Sequence, residues 1–232
     1  MSGGVGRRPL ASAVAAAGAW LLEPAEPVRE REVVAPASPR PVVAVFGLTR
    51  GCGATVVARA LAAELASRDS AGAAAVHCEA RAAGIPLATP AASRLARQLA
   101  DVAGAQTRAV GRLCLVGGAD AGALADTARH VAPLVLDAGT SALGGVPAAL
   151  ADQVVVVSGP STEPALGLVA ADYLARLGHE PIVVRNRARE PSLAAYALPD
   201  ARMGAQLALG GREPRGELGR AIAELADRCE AP

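Results

Sequence analysis

Residues Val42 to Ala66 read VVAVFGLTRGCGATVVARALAAELA. An apolar run of strand length, Val42 to Phe46, leads through a glycine-containing loop into a helical pattern from Val56 to Ser67. Gly51 and Gly53 allow the backbone of the loop to turn its N–H groups toward an anion, and the start of the helix adds a partial positive charge. The stretch therefore predicts a phosphate-binding loop between a strand and a helix.

The loop matches the phosphate-loop pattern G-x-x-x-x-G-K-[ST] at two of its four defined positions. Gly53 stands at the second glycine, and Thr55 stands at the hydroxyl that binds magnesium. Leu48 replaces the first glycine and Ala54 replaces the lysine. The chain contains no lysine at all, and its 23 basic residues are all arginine. Arg50, in the neighbouring turn, is a candidate for supplying the missing positive charge.

Apolar segments of strand length alternate with alanine- and leucine-rich helical stretches along the rest of the chain. After the first strand they are Ala73 to His77, Arg112 to Val116, Pro133 to Asp137, Gln153 to Ser158 and Pro181 to Arg185. Several are apolar at consecutive positions, as expected for strands that are covered on both faces. The sequence therefore predicts an α/β fold with three layers, in which a mostly parallel twisted sheet carries helices on both faces and binds its ligand at the carboxyl ends of the strands.

The first 41 residues are predicted to form a tail, and residues 42–232 are predicted to form one folded domain. The tail contains an apolar run from Leu10 to Leu22, followed by a proline-rich linker from Glu23 to Pro41. Arg7 and Arg8 precede the run, as in a signal peptide, but its length of about 13 residues is short of the ~20 that cross a bilayer. We interpret it as a tail helix or a docking segment.

Composition gives no positive indication of several classes of function. The net charge of +1 and the pI near 7.7 give no strong signal for nucleic acid or for an anionic membrane. The cysteines show no C-x-x-C spacing, so we expect no zinc site and reduced thiols in a cytoplasmic protein. Structural roles are expected for the three scattered histidines, His77, His130 and His179.

Two later strands end in polar residues. An apolar strand ends at Asp137, where an acid can hold Mg²⁺ or its water shell. Another ends at Asn186, and Pro199 follows before a short helix. The arginines around Asn186 are interpreted as a solvated strand end: Arg185, Arg187 and Arg189.

In their order along the chain these motifs resemble the ParA/MinD family of P-loop ATPases, over Val42 to about Leu225. The family loop reads K-G-G-x-G-K-[ST], which places Thr49 on the signature lysine, Arg50 and Gly51 on the glycine pair, and Ala54 on the P-loop lysine. A small residue at that last position is similar to the CpaE-like, pilus-assembly branch of the family.

The resemblance implies ATP or ADP with Mg²⁺ as the ligand, with Thr55 and Asp137 as metal-binding residues and Asp137 as the catalytic candidate. The segment from Asp137 to Thr140 is similar to the switch II of the family, and Asn186 to its adenine-reading asparagine. The residues that the resemblance assigns to the nucleotide are Thr49, Arg50, Gly51, Cys52, Gly53, Ala54, Thr55, Val56, Asn186 and Pro199.

One departure from the family lowers the expected rate of hydrolysis. The second strand of the family ends in Asp-x-Asp, which prepares the attacking water, whereas this chain reads Val76-His77-Cys78-Glu79 with one acid. We therefore expect weak or absent ATP hydrolysis and a role as a positioning or assembly module for a pilus, secretion or cell-pole structure, with a protein partner. The alternative is an active ATPase in partitioning or cellular localisation that forms a homodimer over ATP.

A Rossmann-type dinucleotide binder is the minor alternative. Glu79 lies some 26 residues beyond Gly53 and would be the acid that binds a ribose. The glycine pattern from Gly51 to Val56 lacks the third glycine of that fingerprint, and the alternative leaves Asp137 and Asn186 unexplained.

Overall fold

A computed structural model describes residues 40–78, 93–102, 104–118, 120–188 and 195–230. The tail before residue 40 and Glu79 lie outside these ranges. The strands are β1 (Val42–Gly47), β2 (Ala73–His77), β3 (Gln106–Val110), β4 (Leu113–Gly117), β5 (Leu134–Gly139), β6 (Gln153–Ser158), β7 (Ile182–Ala188) and β8 (Tyr196–Pro199). The helices are α1 (Ala54–Arg68), α2 (Arg94–Ala100), α3 (Ala121–Ala128), α4 (Val146–Leu150), α5 (Pro164–Arg176), α6 (Arg202–Leu209) and α7 (Gly216–Glu230).

The strands form one sheet in the order β3-β4-β2-β5-β1-β6-β7-β8. Only the β3–β4 pair is antiparallel among the described strands, which confirms the predicted mostly parallel sheet. β3 and β8 were not predicted from the sequence. β3 is an edge strand whose residues are exposed or half-buried, and β8 has only four residues, so neither shows the continuous apolar run of a central strand.

Alternating residues of the strands form two separate cores. On one face, Val43 and Val45 of β1 pack with apolar residues of α1, α6 and α7. On the other face, Val42, Ala44 and Phe46 pack with α2, α3, α4 and α5. The three predicted layers are thus confirmed. Parallel pairing brings the carboxyl ends of β1, β2, β5, β6 and β7 to one edge of the sheet. The strand order switches direction around β1, and ligands bind at such a point of the edge.

Several predicted elements differ from the structure by one or two residues at their ends. α1 begins at Ala54, two residues before the predicted start, because Gly53 already acts as its N-cap. The strand predicted from Pro133 to Asp137 runs from Leu134 to Gly139. No helix in the described part of the chain is long and apolar enough to cross a membrane.

Arg59 joins α1 to the end of α6. Its side chain is buried, and Nη1 donates a hydrogen bond to the Leu209 carbonyl oxygen at 2.6 Å. Burial lowers the pKa of the guanidinium, and the charge of Asp137 partly offsets that effect. Because Leu209 is the last residue of α6, its carbonyl has no partner within the helix, and Arg59 supplies one.

Replacing Arg59 with methionine should lower the free energy of unfolding by about 1–2 kcal/mol, since it leaves that carbonyl without its charged donor. Urea denaturation would measure the change. The matched control is Arg176→Met, which removes an exposed pair with Asp172 on α5 and should cost at most about 0.5 kcal/mol. Equal losses of unfolding free energy in the two variants would contradict the stabilising role of the Arg59 hydrogen bond to Leu209.

Candidate functional site

The loop between β1 and α1 presents an open helix N-terminus. Gly51 and Gly53 have φ angles of 76° and 95°, in the left-handed region that favours glycine. No side chain among the described residues caps α1, and its first turn holds no acid. The first N–H groups of α1 are therefore available to an anion, together with the positive end of the helix dipole.

A cleft of about 430 Å³ lies over this loop. It is lined by every residue from Thr49 to Val56, and by His77, Gly139 and Thr140. The eight consecutive residues from Thr49 to Val56 are among those assigned to the nucleotide from the sequence. The structure thus gathers them around one cavity at the carboxyl ends of β1, β2 and β5.

A second cleft of about 400 Å³ adjoins the first and shares Gly51, Gly53 and Val56 with it. Asn186 and Pro199, the two later residues assigned to the nucleotide, line this cleft. Its other lining residues come from the end of β7, from the loop before α6, from α6 itself and, with Leu218, from α7. The phosphate loop therefore separates two cavities, an arrangement that suits a ligand with a phosphate part and a base part.

Two side chains of β7 form hydrogen bonds with backbone carbonyls of the loop. Asn186 Nδ2 donates to the Cys52 carbonyl oxygen at 2.8 Å, and Arg187 Nη2 donates to the Gly51 carbonyl oxygen at 2.8 Å. Arg187 is exposed, as the sequence analysis expected, but its guanidinium contacts the loop instead of being only solvated. Its φ of 56° is left-handed, which is rare for a residue with a side chain.

Neither lysine position of the family pattern carries a positive charge. Ala54 lines the first cleft and is 6% exposed. Thr49, at the signature position, makes a 2.9 Å hydrogen bond through Oγ1 to Oγ1 of Thr162, which also accepts from the Gly159 N–H. The exposed Arg50 is the one arginine that lines the first cleft within the described residues.

Asp137 lies at the centre of the sheet and pairs in register with Val45 of β1 and His77 of β2. Its side chain is buried, and its Oδ2 is 3.0 Å from Nδ1 of His77. Its Oδ1 accepts a 3.3 Å hydrogen bond from the Gly139 N–H. The sequence places no acid beside His77, and the fold brings one there, because this contact joins two strands through residues that are 60 positions apart.

The site fits a nucleotide better than it fits the metal. The open amides of the loop and the two adjoining cavities suit a polyphosphate with its base. Thr55, the hydroxyl residue that the sequence assigns to Mg²⁺, lines the first cleft. Asp137 does not line either cleft, and both of its oxygens are hydrogen-bonded within the protein.

Comparison with solved structures identifies the fold. The chain is similar to a ParA family ATPase from Chlorobium tepidum, with 17% identity, a TM-score of 0.55, and coverage of 81% of this chain and 98% of that one. It is also similar to the septum site-determining protein MinD from Pyrococcus horikoshii in complex with Mg-ADP, with 12% identity, a TM-score of 0.59, and coverage of 82% and 96%.

A third similar structure is a McdA variant from Cyanothece in complex with ATP, with 15% identity, a TM-score of 0.58, and coverage of 83% and 96%. No protein-family model and no curated protein matches the sequence. The fold expected from the sequence motifs, that of the ParA/MinD P-loop ATPases, is thereby confirmed.

Proposed function

From its ParA/MinD fold, we propose that this chain binds ATP or ADP, hydrolyses ATP weakly or not at all, and acts as a positioning or assembly module. The observation that supports the proposal is the uncapped N-terminus of α1. It lies between two adjoining clefts, which together are lined by all the residues assigned to the nucleotide. MinD from Pyrococcus horikoshii and the McdA variant from Cyanothece, which share this fold, bind Mg-ADP and ATP.

Backbone groups account for binding in this proposal. Glycines at positions 51 and 53 turn the loop, and Asn186 and Arg187 fix two of its carbonyls to β7. In this proposal the N–H groups of the loop and of the first turn of α1 bind the phosphates in the first cleft. Such a loop is preorganised before the ligand arrives, which lowers the entropic cost of binding. Phosphate binding therefore does not require a lysine.

Efficient hydrolysis does require positive charge near the transferred phosphoryl group and a residue that orients water. Ala54 supplies no charge, and Thr49 is bonded to Thr162 in its own chain. The strand end that would prepare the water carries His77, which is bonded to Asp137. These three features support slow or absent turnover.

The proposed cellular role follows from the resemblance to the CpaE-like branch. In this role the chain is a cytoplasmic module, forms a homodimer or binds a protein partner, and serves a pilus, secretion or cell-pole assembly.

The second candidate function is an active ATPase in partitioning or localisation. Arg50 favours it, because its guanidinium lines the phosphate cleft and can supply charge there.

Calorimetric titration with ATP and ADP, combined with phosphate-release assays, tests the proposal. We expect binding of both nucleotides, and turnover that is at the background level and unchanged in Asp137→Ala. Absence of binding at millimolar nucleotide would refute nucleotide binding. A turnover that disappears in Asp137→Ala, or in Arg50→Ala, would instead establish the active ATPase.

A further inference from the structure

The carboxylate of Asp137 is fully engaged inside the protein. His77 Nδ1 lies 3.0 Å from Oδ2, and the Gly139 N–H donates to Oδ1. The side chain is 3% exposed, and the residue lines neither cleft. Parallel pairing of β2 with β5 places His77 directly opposite Asp137, so the contact is built into the register of the sheet.

The charge of Asp137 also acts on a buried cation. It raises the pKa of the buried Arg59 guanidinium on α1, against the larger lowering by burial, so the two groups attract each other. A buried carboxylate that already accepts a hydrogen bond on each oxygen must give up such a bond before it can turn toward a further cation.

Magnesium places strict demands on such a ligand. Mg²⁺ requires near-octahedral oxygen ligands at about 2.0–2.1 Å and keeps several of its waters. To reach the ion or its water shell, Asp137 would have to break its hydrogen bond to His77 and turn toward the first cleft. The His77 imidazole lines that cleft, whereas the Asp137 carboxylate does not.

We infer that His77 is a positioning residue that keeps Asp137 hydrogen-bonded within the sheet, so that this chain binds nucleotide without dependence on Mg²⁺. The inference rests on the proposed nucleotide binding and adds a property to the same site. Thr55 alone, among the residues assigned to the metal, stays at the phosphate cleft, and a single hydroxyl holds Mg²⁺ poorly.

The experiment compares the ATP affinity of the protein in excess MgCl₂ and in EDTA. If Asp137 were free to act through the metal, linkage would make the two affinities differ by about 5- to 150-fold. For the wild type, we expect the ATP affinities in MgCl₂ and in EDTA to differ by no more than about 3-fold. In His77→Ala, which frees Asp137 toward the cleft, we expect ATP to bind at least about 10-fold more tightly with Mg²⁺ than with EDTA.

His77→Asn is the matched control, because the asparagine amide can keep an N–H donor close to the position of Nδ1, and its ratio should remain near that of the wild type. A wild-type ratio above about 10-fold, or equal ratios in His77→Ala and the wild type, would overturn the assignment of His77. Absence of ATP binding in both solutions would overturn the proposed function, and this inference with it.

Direct measurement of metal binding to the wild type keeps the test independent of the His77 variants. Electron paramagnetic resonance of Mn²⁺ distinguishes free from bound ion. At saturating ADP, we expect the amount of bound Mn²⁺ to be no greater with the protein present than with ADP in its absence. Protein-bound Mn²⁺ that appears with ADP and is lost in Asp137→Asn would show that Asp137 reaches the metal, and would overturn the inference even if His77→Ala does not fold.

Discussion

Gly53→Ala should lower ATP affinity by about 100-fold, equal to about 2.7 kcal/mol. At the φ of 95° found here, any residue with a Cβ is strained by about 1–2 kcal/mol. A Cβ at this position would also overlap Nδ2 of Asn186, which would have to give up its hydrogen bond to Cys52, worth about 1 kcal/mol. The loop is expected to relieve the strain by turning its N–H groups away from the cleft.

Gly51→Ala is the matched control for the overlap between a Cβ at position 53 and the Asn186 side chain. Gly51 is also left-handed, but a Cβ there meets no heavy atom within 4 Å, so only the backbone strain remains. We expect its ATP affinity to fall by no more than about 10-fold. Calorimetric titration of both variants measures the difference, and circular dichroism checks that both remain folded. Equal losses would show that Asn186 does not hold the loop in its binding conformation.

Ala54→Lys should raise ATP affinity by about 30-fold without producing efficient turnover. Ala54 lines the phosphate cleft, so a longer side chain at this position can extend into it. Two unit charges 4 Å apart attract by about 4 kcal/mol at an effective dielectric constant of about 20, and desolvation of the ammonium leaves about 2 kcal/mol of that. Turnover should stay low because His77 still holds Asp137.

Ala54→Met controls for the size of the new side chain, since methionine has similar length and no charge. We expect the gain only with lysine, and a larger gain for ATP than for AMP, because the added charge acts on the β- and γ-phosphates. A gain in ATP affinity in Ala54→Met as well would show that the effect comes from packing of the longer side chain and not from its charge. Efficient turnover in Ala54→Lys would show that the lysine is the only missing part of an active site, in favour of the active ATPase.

Local patterns were enough to predict the fold and the phosphate loop. The consecutive apolar residues of β1, β5 and β6 indicate strands buried on both faces, and these strands lie at the centre of the observed sheet. Edge elements were missed because their residues are partly solvated and carry no such pattern. The end of β7 was assigned by its motif, but the hydrogen bonds from Asn186 and Arg187 to the loop had no signal in the sequence.

The sequence by itself determined the strand–loop–helix unit and the absence of any lysine, because both depend on residues that are adjacent or simply counted. Only the tertiary structure decided what surrounds Asp137. The register of β2 against β5 brings His77 to it, and the packing of α1 buries Arg59 near it. These neighbours come from chain segments about 60 to 80 residues away, and contacts of that separation are set by the order of strands in the sheet, which no local pattern specifies.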